Sequence, residues 1–260
     1  MRDGPIVVKI GGAAAGDEAG ALDDVAALAR SGERVLLVHG GGPLTSEWSR
    51  RLGLEPRFEG GLRVTDEATR DVALAVMAGL INKRLVAALA ARGASAVGVS
   101  GADGGLLEVR HADPSLGLVG EVADVRPRVL EALFAAGHLP VVAPAAIDPA
   151  GELVNVNADA IAGALAVALK AHLLVLVTDV DGVRDGRGDI VPSLDADQAA
   201  RLVREGVVSG GMLPKVDACL RASASGCRAA IVHVRERHAI ARLHGGADAG
   251  TVVRPEAVHG

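Results

Sequence analysis

Ile6-Val7-Val8-Lys9-Ile10-Gly11-Gly12 is an apolar run with one lysine inside it and two glycines at its end. The run predicts a buried strand. Such a strand normally excludes an ammonium group, because an unpaired charge taken out of water costs several kcal/mol or more. Lys9 therefore needs a partner, a sheet edge or an anionic ligand. The glycines favour the ligand: lacking Cβ atoms, Gly11 and Gly12 let the backbone approach a phosphate and offer it N–H groups. The ordinary alternative is a strand-to-loop turn whose lysine snorkels to water.

A second glycine-rich strand end follows, where Arg34 to His39 runs into Gly40-Gly41-Gly42. In an open parallel sheet both would lie at the carboxyl edge, where ligands bind. With Lys9 they describe a backbone cradle for an anion. Further along, aliphatic strand-like runs alternate with amphipathic helical segments, the pattern of an α/β chain with a mainly parallel sheet covered on both faces. Leu22, Val25, Leu28 and Ala29 recur at helical spacing, and Thr45 is placed to cap the next helix, which ends near Gly53. Phe58 to Thr65 reads as a hairpin excursion. A long helix is expected from Thr65-Asp66-Glu67 through Ala78 and a second from Asn82 to Arg92. Strands are expected at Ala94 to Ser100, Leu139 to Ala143 and Leu153 to Asn157, with a β-rich insertion over 101–124. A helix is expected over Pro127 to Ala136 and an alanine-rich one over Ala158 to Leu169. From about residue 171 the pattern restarts, with strands Leu173 to Thr178 and Ala229 to His233 and helices Ala196 to Glu205 and Leu213 to Ser225. The division expected is a lobe over 1–170 and a second over 171–260 on one continuous sheet.

Composition narrows the function. Half of the 260 residues are hydrophobic, yet only Trp48, Phe58 and Phe134 are aromatic, so the core is aliphatic. A net charge of −5 argues against a nucleic-acid partner, which normally imposes a basic face. No uninterrupted apolar run reaches the roughly 18 residues of a membrane span, and no signal-peptide pattern opens the chain, so a cytoplasmic location away from membranes is expected. Cys219 and Cys227 lack metal-ligand spacing and read as buried thiols. No residues are assigned to a metal. Among 27 basic residues only Lys9, Lys83, Lys170 and Lys215 are lysines. A bias toward arginine explains that balance, but a retained lysine also suits a site needing a compact point charge.

Familiar motifs fail. Gly11 to Gly16 is not the dinucleotide fingerprint, Gly210 to Lys215 has proline where a Walker loop needs glycine, and Asp179-Val180-Asp181-Gly182 has its glycine too early for a calcium loop. Asn155-Val156-Asn157-Ala158-Asp159 is more informative. Alternation puts Asn155 and Asn157 on one face, and Asp159 opens the next helix. Either Asn157 or Asp159 can cap that helix, which leaves the others unexplained. Arg63, in Gly60-Gly61-Leu62-Arg63-Val64-Thr65, is able to clamp a carboxylate, or is one more solvated arginine. Ser209-Gly210-Gly211-Met212 precedes Lys215 at another helix start, where a nucleotide could lie against the glycines.

In their order and spacing these motifs resemble the amino-acid kinase family, from Ile6 to Val253, and within it the branch that acts on N-acetyl-L-glutamate in arginine biosynthesis. The resemblance implies a three-layer α/β/α sandwich, an N-terminal lobe for the acceptor and dimerisation, and a C-terminal lobe for ATP with Mg2+. It also implies roles. Lys9 and Lys215 stabilise the transferring phosphoryl group, and Asp159 positions them. Gly11, Gly12 and the Gly41-Gly42 pair offer backbone donors. Arg63 and Asn155, with Asn157 beside them, hold the acceptor. Thr178, Asp179, Val180, Asp181, Gly182 and Val183, with Ser209, Gly210, Gly211 and Met212, line the nucleotide pocket. Arginine-inhibited members carry an extra N-terminal helix, for which the start at Ile6 leaves no room, so a homodimer without that feedback is expected. Rival expectations are a sister kinase acting on a carrier-linked aminoadipate or glutamate, and a non-catalytic nucleotide-binding regulator. The regulator predicts loss of Lys9, Lys215 or Asp159, and all three are present.

Overall fold

The computed structural model describes residues 4–11 and 18–254. The first half contains β1 (Ile6–Ile10), α1 (Ala19–Arg30), β2 (Val35–His39), α2 (Gly42–Arg51), β3 (Phe58–Glu59), β4 (Leu62–Arg63), α3 (Glu67–Leu74), a π-helical stretch (Ala75–Ile81), α4 (Asn82–Ala90), β5 (Ala96–Ser100), β6 (Leu107–His111) and β7 (Val119–Val125). The second contains α5 (Arg128–Ala135), β8 (Leu139–Ala143), β9 (Ala145–Ile147), β10 (Leu153–Val156), α6 (Ala158–Ala168), β11 (Leu173–Thr178), β12 (Ser193–Leu194), α7 (Ala196–Arg204), α8 (Leu213–Ala224), β13 (Arg228–His233), α9 (Ala239–His244) and β14 (Thr251–Val253).

These elements build an eight-stranded sheet in the order β12-β14-β13-β11-β1-β2-β8-β5. All its pairings are parallel except β13 with β14. Helices cover both faces. β1 sits in the middle, with Lys9 in register with Leu176 of β11 and Val38 of β2. β6, β7, β9 and β10 close separately into a small barrel; β6 and β7 belong to the β-rich insertion expected over 101–124, while β9 and β10 join it from farther along the chain.

The pleat decides where Lys9 points. Successive side chains face opposite sides of a strand. Ile6, Val8 and Ile10 enter one aliphatic layer with Leu22 and Val25 of α1 and Ile240 of α9. Val7 enters the other with Ile161 and Leu165 of α6 and Val216 of α8. Lys9 shares the parity of Val7 and faces α6 and α8.

The structure departs from the sequence reading in several places. Thr45 does not cap α2, which starts earlier, at Gly42, with Gly41 as its N-cap. The long helix starts at Glu67, with Asp66 as its N-cap accepting the Thr69 N–H at 2.8 Å. The two helices expected over 65–92 are one continuous helix, Glu67–Ala90, carried through by the π stretch. That helix is long and apolar enough to cross a membrane by length and composition. Here it packs Val76, Met77, Ile81, Leu85 and Leu89 into the core. β9, β12, α9 and β14 were not foreseen, being too short to show periodicity. Cys219 and Cys227 are buried free thiols, as read, and burial pushes both upward in pKa, Cys227 to about 12.

Candidate active site

Asp159 lies in the first turn of α6, beneath the end of β1. Asn157 does the capping: its Oδ1 accepts the N–H groups of Asp159 at 2.9 Å and Ala160 at 3.0 Å. The Asp159 carboxylate is thereby free for other partners. Lys9 Nζ lies 2.9 Å from its Oδ1, and Lys215 Nζ, from the first turn of α8, 2.9 Å from its Oδ2. Lys9 and Asp159 are buried, and Lys215 is nearly so.

Burial by itself raises a carboxylate, but the charges of Lys9 and then Lys215 outweigh it and hold Asp159 below its ordinary value of 3.8. Burial pulls Lys9 below its ordinary 10.5; attraction to Asp159 opposes this and repulsion from Lys215 adds to it. Two ammonium groups thus share one carboxylate in a nearly dry site, an arrangement suited to an incoming polyanion. Glu18, buried at the start of α1, adds a weaker attraction on Lys9.

The glycine-rich strand ends meet above this triad. The Gly40 N–H donates to the Ile10 carbonyl at 3.0 Å. A Cβ on Gly40 would lie 2.8 Å from the Gly11 oxygen, so only glycine permits the approach. Gly12 lies outside the described residues. Gly41 is pressed by the π stretch: a Cβ there would come 2.5 Å from Ile81 Cδ1 and 2.9 Å from Met77 Cγ.

Arg63 is brought under α2 by the β3–β4 hairpin. Its Nη2 donates to the Gly42 carbonyl at 2.9 Å and to Ser46 Oγ at 2.8 Å, and its guanidinium lies over the Phe58 ring at 4.7 Å. Its Nη1 is buried without a hydrogen-bond partner among the described residues. Burial, then the charge of Arg50, pulls its pKa down. A buried cation with neutral partners and a spare N–H fits a carboxylate.

The hairpin also reaches the segment that precedes α8. A Cβ on Gly61 would sit 3.2 Å from backbone atoms of Gly210 and Gly211, so its tip rests on the Ser209–Met212 loop. From that loop the Gly211 carbonyl accepts from Lys215 Nζ at 3.4 Å. At the end of β11, Thr178 Oγ1 donates to Asp179 Oδ1 at 3.1 Å, and Asp179 and Val180 are exposed. Asp181 pairs with Arg184, and Gly182 packs on Thr251. Val183 is fully buried and its N–H donates to Thr251 Oγ1 at 2.9 Å, which places its side chain in the core.

Asn155 is half-buried on β10, between Val119 and Ala145. Asn157 faces a groove of about 860 Å³ along α6, α7 and α8; of the predicted site residues, it alone lines that groove. Glu18, Ser46 and Asn82 were missed by the sequence reading. Glu18 and Ser46 carry no local signal, whereas a polar Asn82 on the apolar side of a helix was a visible one.

A strand-end cradle and two lysines on one aspartate, in an α/β/α sandwich, define a phosphotransferase. A sequence profile of the amino acid kinase family matches residues 4–233, and the chain belongs to that family. It is 47% identical over 243 residues to the acetylglutamate kinase of Synechococcus sp. (strain CC9311), covering 90% of this chain and 85% of the relative. The acetylglutamate kinase of Acaryochloris marina (strain MBIC 11017) is 45% identical, at 90% and 86% coverage. Among solved structures, smu.665 from Streptococcus mutans UA159 superposes with a TM-score of 0.85 at 26% identity, covering 98% of this chain and all of that one.

Proposed function

We propose that the protein transfers the terminal phosphoryl group of ATP to the side-chain carboxylate of N-acetyl-L-glutamate, yielding N-acetyl-L-glutamyl 5-phosphate and ADP in arginine biosynthesis. The observation that carries this reading is Asp159, whose two oxygens hold Lys9 and Lys215 side by side. Relatives named acetylglutamate kinase at 45–47% identity support the acceptor.

The chemistry needs no general base. A glutamate side chain has an ordinary pKa of about 4.3 and is already ionised at neutral pH. One carboxylate oxygen forms the new bond to phosphorus, the bond to the bridging oxygen of ADP breaks, and no proton need move. The protein's task is to bring two anions together and spread the charge of a loose, in-line transition state. In this reading Lys9 and Lys215 neutralise the transferring group, Asp159 keeps them in place, and the N–H groups of Gly11, Gly12, Gly41 and Gly42 add donors. Arg63, Asn155 and Asn157 hold the acceptor. The Thr178–Gly182 and Ser209–Met212 segments hold the nucleotide, and Val183, whose N–H and carbonyl bond Thr251 and Val191, anchors the first of them.

In this reading magnesium enters with the substrate, as the Mg·ATP complex. Among the described residues no group of three His, Cys, Asp or Glu side chains could hold a metal, and both Asp159 oxygens face lysines.

In this reading residues 1–170 bind the acceptor and dimerise, and residues 171–260 bind the nucleotide. The homodimer contact falls on the Glu67–Ala90 helix, whose most apolar stretch is only 39% buried inside the protein. A cytoplasmic location follows from the need for ATP.

One assay tests the reaction. ATP and magnesium are incubated with N-acetylglutamate and hydroxylamine, which traps an acyl phosphate, beside N-acetylaspartate, free glutamate and a carrier-linked acceptor. Product from N-acetylglutamate supports the reading, and product from the carrier-linked acceptor alone overturns it.

A further inference from the structure

His39, the last residue of β2, is fully buried between the glycine run and the helical layer. The proposed reaction gives it no role. Its Nδ1 lies 2.8 Å from the Gly40 carbonyl oxygen, and its Nε2 lies 3.2 Å from Asn82 Nδ2. A carbonyl only accepts and an amide nitrogen only donates. The ring is therefore neutral, with its proton on Nδ1 and its bare Nε2 accepting from Asn82. The surroundings agree, since burial and then the charges of Lys83 and Lys9 hold the imidazole down at about 4, despite the opposing bond to Gly40.

Asn82 is itself held. It donates to the Val141 carbonyl at 2.9 Å, and its Oδ1 accepts from Lys83 Nζ at 3.0 Å. It directly follows the π stretch whose Met77 and Ile81 press on the Gly41 Cα. The long helix thus grips the Gly40–Gly41 peptide at both ends, through His39 at the carbonyl and through van der Waals contact beyond the amide. In a planar trans peptide the C=O and the following N–H point in opposite directions. Fixing the Gly40 oxygen therefore fixes the Gly41 N–H.

We propose that His39 is a positioning residue, whose Nδ1–H, oriented by Asn82, locks the Gly40–Gly41 peptide so that the Gly41 N–H faces the reacting groups. This rests on the reading that Gly41 donates in the phosphoryl-transfer site. A misplaced donor typically costs up to about 10²-fold in rate.

The test compares His39→Leu, which keeps bulk and loses the donor, with His39→Asn, which keeps an N–H near the Nδ1 position. Thermal unfolding, kcat and KM are measured for each. His39→Leu is expected to lose about 10²-fold in kcat with its KM for ATP little changed, and His39→Asn to recover most of that loss at a similar melting temperature. Equal kcat in the two variants, whether high or low, overturns the proposal. Independently of activity, 15N NMR of histidine-labelled parent protein should show the Nδ1–H tautomer from pH 8 to pH 5; an Nε2–H tautomer, or titration near the ordinary 6.5, overturns it as well. A parent inactive toward N-acetylglutamate sinks the substrate reading; an active parent with equal variants sinks the positioning role.

Discussion

Gly163 of α6 and Ala218 of α8 touch with no room to spare: a Cβ on Gly163 would lie 2.9 Å from the Ala218 Cβ. Gly163 is one turn beyond Asp159, and Ala218 one turn beyond Lys215. Two small residues therefore let the helices approach closely enough for the Lys215 ammonium to reach the Asp159 carboxylate. Gly163→Val should overpack this contact, costing about 1–3 kcal/mol. It should also lower kcat by at least about tenfold by pulling Lys215 away. Thermal unfolding and steady-state kinetics check both; a destabilised variant with parental kcat would show that this contact does not set the site.

Lys9 acts on the transferring charge in the proposed mechanism. Lys9→Ala should lower kcat by about 10²–10³, with far less effect on ATP binding. Unchanged kcat would remove Lys9 from the chemistry.

Arg63 has a buried Nη1 without a hydrogen-bond partner among the described residues, which suits the acceptor-holding role proposed for it. Arg63→Ala should raise KM for N-acetylglutamate by about 10- to 100-fold, the worth of a charged hydrogen bond, with a smaller change in kcat. Equal KM in variant and parent would exclude it from the acceptor site. Part of any stability change will come from the lost contacts to Gly42, Ser46 and Phe58.

Lys9 and Asp159 are both shifted downward from their ordinary values. Lys9 is lowered from 10.5, so activity should fall on the alkaline side below pH 10.5. A kcat/KM profile, which reports the free protein, that stays flat to that pH would contradict the lowered Lys9. Asp159 is lowered from 3.8, so its folded form keeps its charge where the unfolded chain takes up a proton. Its contribution to stability is complete above 3.8 and fades as pH falls through the lower folded value. The stability gap between parent and Asp159→Asn, followed by urea unfolding, should be constant from about pH 7 to 5 and narrow below about pH 4.

Ala75 and Gly79 are exposed on the apolar Glu67–Ala90 helix, four residues apart. If a second copy covers this face, Ala75→Glu should give a folded monomer, because a buried unpaired carboxylate opposes association. Light scattering after size exclusion checks this; a dimer unaffected by the change would place the contact elsewhere.

The existence of β1, β2 and β11 was legible in the chain, because short aliphatic runs alternating with amphipathic helical segments suit a sheet buried on both faces. The chain also exposed Lys9, since a charge inside such a run demands a partner, whereas Arg63, Asp159 and Lys215 drew their roles from the resemblance to the kinase family. Pairing was a different matter. Lys9 and Lys215 are separated by most of the sequence, and only the pleat of β1 and the packing of α6 on α8 turn both toward one carboxylate. Asn157 and Asp159 were equally able to cap α6, and geometry gave the cap to one and the lysines to the other. Fusion of two expected helices through the π stretch was equally illegible, because a π turn has no local signal and depends on what it packs against. The residue order by itself offered a buried lysine in need of an anion, two glycine-rich strand ends, Asp159 and Lys215 as separate features; the tertiary structure brought them together, because contacts across the sheet depend on register and packing that no local stretch encodes.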